Sequence, residues 1–182
     1  LLSRRLTGEI FRAGPVPVTE IRAGIIVGPG CASFEIIRDL VNHLPVMITP
    51  KWVESKSPPI ALDNLLEYLI GVAQHEEAAG KIYDVAGPEM LSYKDLLLQY
   101  GEHVRKHPWI IPVPVLSPRL SSYWLRLITA VPTSTARALV EGLKLHIESD
   151  DSAIRQLIPQ RLLTYREAVA AVFETERRNA VA

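Results

Sequence analysis

Cysteine is nearly absent: Cys31 is the one thiol in 182 residues. That excludes an internal disulfide framework and any zinc site built from several thiolates. Excess charge is absent too, since Lys plus Arg and Asp plus Glu number 20 each. Surfaces that coat nucleic acid or grip anionic lipid need a basic excess, so neither partner is expected. No uncharged apolar run approaches the roughly eighteen residues that span a bilayer. Arg4, Arg5, Thr7, Gly8 and Glu9 stand where a signal peptide would carry its apolar centre. A reducing cytoplasm is the expected compartment. Disorder over the whole length is not expected, because 48% of the residues are apolar and only 22% are charged.

Several chemical motifs are missing as well. Gly28-Pro29-Gly30 has the place of a dinucleotide fingerprint, after a strand and before a helix. Ser33 occupies the third glycine position, however, and Pro29 offers no amide to a phosphate, so a structural turn is expected. None of the tyrosines (Tyr68, Tyr83, Tyr93, Tyr100, Tyr123, Tyr165) has a lysine four residues later. The acid–base pair of many hydride-transfer enzymes is therefore not here, nor is a Ser-His-Asp elbow or a Walker loop. No catalytic residue is assigned. His103 and His107 are four apart, but Pro108 biases His107 out of a helix and no cysteine completes a metal set; no metal site is expected. Cys31 follows the glycine turn, where a helix N-terminus lowers a thiol pKa; an inert, buried thiol is the competing reading.

What is present reads as alternating strands and helices. Leu2, Leu6, Ile10 and Phe11 fall at helical spacing until Gly14-Pro15. A helix that starts at the first residue without a cap is expected of a cut chain, with a trimmed native terminus as the alternative. A near-continuous apolar strand over about Val18–Val27 follows, of the kind buried in parallel sheets. Ser33 is the expected cap of a helix carrying Phe34, Ile37, Leu40, Val41 and Leu44 on one face. Residues 46–59 read as short strands and loops, and 60–62 as a strand. Asp63 is the expected cap of a second helix with Leu65, Leu66, Leu69, Ile70 and Ala73 on one side. Lys81 to Ala86 is a strand stopped by Gly87-Pro88. LSYKDLL at Ser92 and LTYREAV at Thr164 open two more helices; the second is a full capping box and the first, with Asp95, a weaker one. Helices are expected around Leu120–Thr129 and Ser134–His146, and from about Tyr165 to Arg178. Trp52, Trp109, Tyr123 and Trp124 sit beside loops, where aromatics either line small-molecule clefts or staple loops to the core.

The phrase Arg22-Ala23-Gly24-Ile25-Ile26-Val27-Gly28-Pro29-Gly30 resembles a late Rossmann strand of the extended short-chain dehydrogenase/reductase superfamily. Ile60-Ala61-Leu62-Asp63-Asn64-Leu65 and Lys81-Ile82-Tyr83-Asp84-Val85-Ala86-Gly87 resemble two further phrases of that superfamily, in order. SFEIIRDLVNHLPVMITPKWV and PVPVLSPRLSSYW are similar to an atypical bacterial branch, nucleoside-diphosphate-sugar epimerase-like. The resemblance implies an α/β fold: the last strands of a Rossmann-type parallel sheet (1–45 and 60–90) plus a small mixed α/β substrate lobe (46–59 and 91–182). It implies that Ala23, Gly24, Ile25 and Ile26 pass beside the nicotinamide of NAD or NADP. Ala23 replaces the usual Pro, Ile25 the Asn that contacts sugar nucleotides, and Val27 a common Tyr. Trp52, Tyr123 and Trp124 are the expected substrate contacts.

The implied role is the C-terminal, substrate-binding portion of an NAD(P)-dependent oxidoreductase or epimerase-like protein. Its partners would be a small-molecule substrate and the missing N-terminal Rossmann half. Alternatives are a non-catalytic NAD(P)-binding sensor or assembly factor of the same fold, and a free-standing interaction domain. The pyrophosphate and ribose contacts would lie upstream, so no tightly bound cofactor is expected in this chain. A bare edge on the strand at Val18–Val27 implies self-association.

Overall fold

A computed structural model describes residues 2–113 and 149–181. Helix α1 (Leu2–Arg12) leads into strand β1 (Glu20–Ala23), strand β2 (Ile26–Val27) and helix α2 (Ala32–His43). Strand β3 (Val46–Pro50), a 3-10 turn (Lys51–Glu54), strand β4 (Lys56–Ser57) and strand β5 (Ile60–Ala61) follow. Then come helix α3 (Leu62–Gln74), strand β6 (Ile82–Val85), strand β7 (Leu91–Ser92), helix α4 (Tyr93–His103) and strand β8 (Trp109–Val113). Helices α5 (Ser152–Leu157) and α6 (Tyr165–Val181) close the described chain.

The architecture is α/β. β1 runs parallel to β6 in the register Glu20–Ile82 to Ala23–Val85, so the segments expected at Val18–Val27 and Lys81–Val85 are parallel neighbours. The single strand expected over Val18–Val27 is, however, two. The chain breaks at Gly24-Ile25, and β2 turns away to run parallel to β5. One straight strand cannot hydrogen-bond two diverging partners along the same edge, which is why the apolar run divides there. β3 pairs with β8 in parallel, and β4 with β7 antiparallel.

Two cores fill the space between these layers. One gathers Phe34, Ile37 and Val41 of α2 with Leu96, Leu97 and Tyr100 of α4 and Val169 and Val172 of α6. The other holds Leu65 and Tyr68 of α3 against Tyr83 and Val85 of β6 and Ile154 of α5. Across the first core, Arg38 lies 5.2 Å from the Phe34 ring and 5.7 Å from Phe173, and pairs with Glu176 at 2.8 Å. That ties α2 to α6 by cation–π contact as well as charge.

The helix starts differ from the sequence reading in three places. Cys31, not Ser33, stands at the α2 N-cap, with no side-chain cap. Glu35 accepts from the Gly30 amide, just ahead of the helix, at 3.1 Å. α3 starts at Leu62, which puts Asp63 in the first turn rather than at the cap. Ser92 and Asp95 form a complete capping box, so the weaker of the two boxes is full as well. α6 continues past Arg178 to Val181, and α5 was not anticipated.

The buried face of α3 is also not the one periodicity suggests. Asn64, Leu65, Tyr68 and Gly71 face inward, while Leu66, Leu69 and Ile70 are exposed. The cause is distant in sequence: Ile158 packs where a side chain on Gly71 would lie. The expected helices at Leu120–Thr129 and Ser134–His146 lie outside the described residues. Among the described residues no helix is long and apolar enough to cross a membrane.

Candidate functional site

In open parallel sheets, ligands lie beyond the carboxyl ends of the strands. Here those ends are Ala23 of β1, Val27 of β2, Ala61 of β5 and Val85 of β6. The backbone from Ala23 to Ile26 crosses from one strand pair to the other, stitched by the Ile60 amide donating to the Ile25 carbonyl at 2.9 Å. Gly87 follows β6 and lies so close to the Pro59 carbonyl that a Cβ would overlap it. A side chain at position 87 would push these two strand ends apart.

The four residues singled out from the sequence share this crossing. Ala23 is exposed, Gly24 and Ile26 are half-buried, and Ile25 is in the core. Ile25 can therefore offer a ligand its backbone only. The strip carries no charged side chain. Arg22 beside it is engaged by Glu20 at 2.8 Å. Glu89, just beyond Gly87-Pro88, accepts from the Tyr165 amide at 2.8 Å and so holds the start of α6.

A strip of this kind offers a ligand flat, weakly polar contact made largely by backbone. It does not fit phosphates. Gly30 has φ of +72° and Cys31 donates to the Gly28 carbonyl, so Gly28-Pro29-Gly30 is a closed structural turn. The Glu35 carboxylate accepts from the Gly30 amide just ahead of α2, which sets a negative charge where a pyrophosphate would have to sit. The crevice behind the turn, between Gly28, Leu62, Ala168 and Val172, has room for about 20 Å³, about one water.

The titratable groups nearby are shifted by burial. The half-buried Cys31 thiol is pushed up, first by burial and then by Glu35. Burial pushes the Tyr93 phenol up to about 12 and raises those of Tyr68, Tyr100 and Tyr165. The Tyr165 hydroxyl donates to the Leu96 carbonyl at 3.2 Å. These phenols stay protonated at neutral pH.

Trp52 belongs to the 3-10 turn after β3; Tyr123 and Trp124 lie outside the described residues. His43 and His75 bond backward to the Asp39 and Gly71 carbonyls at 2.8 Å, as helix-end histidines do. His103 stacks on Phe173 at 4.8 Å. Among the described residues no cluster of His, Cys, Asp and Glu has metal-holding geometry.

Sequence reasoning passed over Asn64. It is buried, donates to Gln160 Oε1 at 2.7 Å and the Arg161 carbonyl at 2.9 Å, and accepts from the Leu163 amide at 2.9 Å. A second cavity, about 240 Å³, lies between the ends of α2 and α4 beside Val41, Pro45 and His107. Lys106 at its wall is engaged by the Asn42 carbonyl at 2.8 Å.

No family model and no curated protein matches this sequence. Solved structures do match its fold. A nucleoside-diphosphate-sugar epimerase from Staphylococcus aureus aligns with a TM-score of 0.67 at 14% identity, over 90% of this chain and 56% of its own. The NADPH-dependent quinone oxidoreductase of Escherichia coli, solved with NADPH, aligns with a TM-score of 0.66 at 19% identity, over 92% and 57%. UDP-glucuronic acid 4-epimerase from Bacillus cereus, solved with UDP-glucuronic acid and NAD, aligns with a TM-score of 0.63 at 11% identity, over 98% and 51%. The chain spans about half the length of the structures it matches.

Proposed function

We propose that this chain, which has the extended short-chain dehydrogenase/reductase-like fold, serves as the substrate-side portion of an NAD(P)-dependent oxidoreductase or epimerase-like protein. Hydride would pass between a nicotinamide and a small molecule held by the mixed lobe. The observation that carries this reading is the crossing at Ala23–Ile26. Two parallel strand pairs end there side by side, and the surface between them is uncharged and largely backbone. Ala23 and Gly24 would lie against the nicotinamide face, with Ile25 and Ile26 fixing their position from the core side. Orientation of this kind supplies much of the rate in hydride transfer. Trp52, Tyr123 and Trp124 are the proposed substrate contacts. The pyrophosphate and ribose contacts would come from an N-terminal dinucleotide-binding half, and the setting would be the cytoplasm.

The same geometry limits what the chain does alone. Without charge-assisted phosphate contacts, each worth about 1.5–3 kcal/mol, NADH and NADPH should bind with millimolar or weaker dissociation constants. Calorimetry measures the affinity, and amide NMR titration locates the contact. Shifts should cluster at Ala23–Ile26 and Ala86–Gly87. Micromolar affinity, or shifts centred elsewhere, would sink the proposal.

A further inference from the structure

The cavity of about 240 Å³ between the ends of α2 and α4 takes its walls from the stretches 41–45 and 106–108. α2 has twelve residues, so the cavity lies about 18 Å from the start of that helix and from the Gly28–Gly30 turn. β3 and β8 both begin beside it, where the Trp109 amide donates to the Pro45 carbonyl at 2.9 Å, and run away from it side by side. No wall belongs to α1, to β1 or to the crossing at Ala23–Ile26.

The stretch that follows α4 is fixed against both helices. The Lys106 amide donates to the Gly101 carbonyl at 2.8 Å and the Val104 amide to the Tyr100 carbonyl at 3.2 Å, which closes the end of α4. Arg105 takes the left-handed conformation that this closure needs, with φ of +56°. A Cβ at Gly101 would overlap the Lys106 carbonyl, so the glycine lets the turn lie on the helix. Lys106 then reaches across to the end of α2. Its ammonium donates to the Asn42 carbonyl at 2.8 Å and to Asn42 Oδ1 at 3.2 Å.

Floor and rim differ in chemistry. Val41, Leu44, Pro45 and Pro108 make an apolar floor, and Lys106 and His107 stand at the rim; no acidic side chain lines the cavity. An ammonium has three protons to donate. Two of those on Lys106 go to Asn42, and the third has no partner among the described residues. Bare carbonyl ends of two helices would disfavour an anion. Here the amides of 104–106 close one end, and the Leu44 amide and the Lys106 ammonium close the other, so the formal charge facing the cavity is positive. A cation would meet that charge with no acid to offset it. An inorganic anion would leave the floor wet, and a purely apolar molecule would leave the third proton unpaired. An acid with an apolar body satisfies both parts.

We propose that this cavity binds a small monocarboxylate. Its apolar body lies on Val41, Leu44, Pro45 and Pro108, and its carboxylate accepts from the Lys106 ammonium with His107 beside it. The volume suits a short aliphatic chain or one aromatic ring and falls below that of pockets for drug-sized ligands. The proposal stands apart from the reading of Ala23–Ile26, and either can fail alone.

Amide NMR titration of the whole chain tests it, with hexanoate, hexanol, acetate and inorganic phosphate as probes. Hexanoate should shift residues 41–45 and 106–109 to saturation, with a dissociation constant of about 1 mM or tighter, within reach of so small a ligand. Hexanol lacks the charge and acetate lacks the body, so each should bind at least tenfold more weakly. Lys106→Met keeps the stem and removes the ammonium. It should raise the hexanoate dissociation constant at least tenfold and change that of hexanol less than twofold. His107→Glu sets a carboxylate at the rim without touching the end of α2, and should act in the same direction; circular dichroism checks that both variants fold. Hexanol or phosphate binding as tightly as hexanoate overturns the proposal, as do shifts centred outside these residues. A hexanoate affinity that neither variant moves overturns it too.

Discussion

Asn64 shows how much one polar side chain can hold. Its amide and carbonyl oxygen fasten residues 160–163 to the start of α3, and Gln160 returns a bond to the Asn64 carbonyl at 3.1 Å. Asn64→Ala should therefore leave the Leu163 amide and Arg161 carbonyl without their partner, at a stability loss of about 2–3 kcal/mol. Urea unfolding followed by circular dichroism measures this; a change under about 0.5 kcal/mol would mean that water replaces the side chain freely. Gly87 makes a different demand at the same scale. Its missing side chain lets the β6 end lie against Pro59, so Gly87→Ala should destabilise by about 2–3 kcal/mol and disturb the Ala23–Ile26 amide signals together. Unchanged signals there would uncouple the two strand ends.

At the scale of elements, α3 separates helix propensity from packing. Its apolar residues run nearly all round, and neighbours choose which are buried. Ile70→Ser should change stability by less than about 0.5 kcal/mol in the monomer, as surface changes do. Tyr68→Ala, on the true inner face, should lose about 3–5 kcal/mol. Chemical denaturation of both variants compares the faces, and the reverse order would restore the face that periodicity suggests. α6 offers a pH test. Thr164 and Glu167 form its capping box: the Glu167 carboxylate accepts from the Thr164 amide at 2.8 Å, and Arg161 pairs with it. The amide, the hydroxyl and the guanidinium hold the Glu167 carboxyl below its ordinary value. A lowered folded-state pKa means the stabilisation is present above the ordinary glutamate value, about 4.3, and is lost as pH falls through the lowered one. Thermal melts from pH 7 to pH 3 should fall less steeply for Glu167→Gln than for the unaltered chain; equal slopes would remove the carboxylate from the account.

At the scale of the molecule, the described parts are unevenly held. α2, α4 and α6 share one core and the Arg38 cluster, whereas α1 shows its apolar stripe to solvent. Segments with few buried apolar contacts open locally before the whole unfolds. Amide exchange followed by mass spectrometry should find α1 exchanging at least tenfold faster than α2 and α4 at low micromolar concentration. Uniform exchange across the three helices would contradict this hierarchy.

The sequence by itself determined what a few neighbouring residues can decide. Ser92-Asp95 and Thr164-Glu167 start helices because cap and partner lie within one turn. Gly30 and Gly80 mark turns because their backbone, at φ of +72° and +75°, suits glycine. The apolar runs at Val18–Val27 and Lys81–Val85 announced parallel strands. Only the tertiary structure decided that the first run breaks at Gly24-Ile25 and that Asn64, not Leu66, faces inward on α3. Each depends on partners far along the chain: β5 for the break, residues 158–163 for the face of α3.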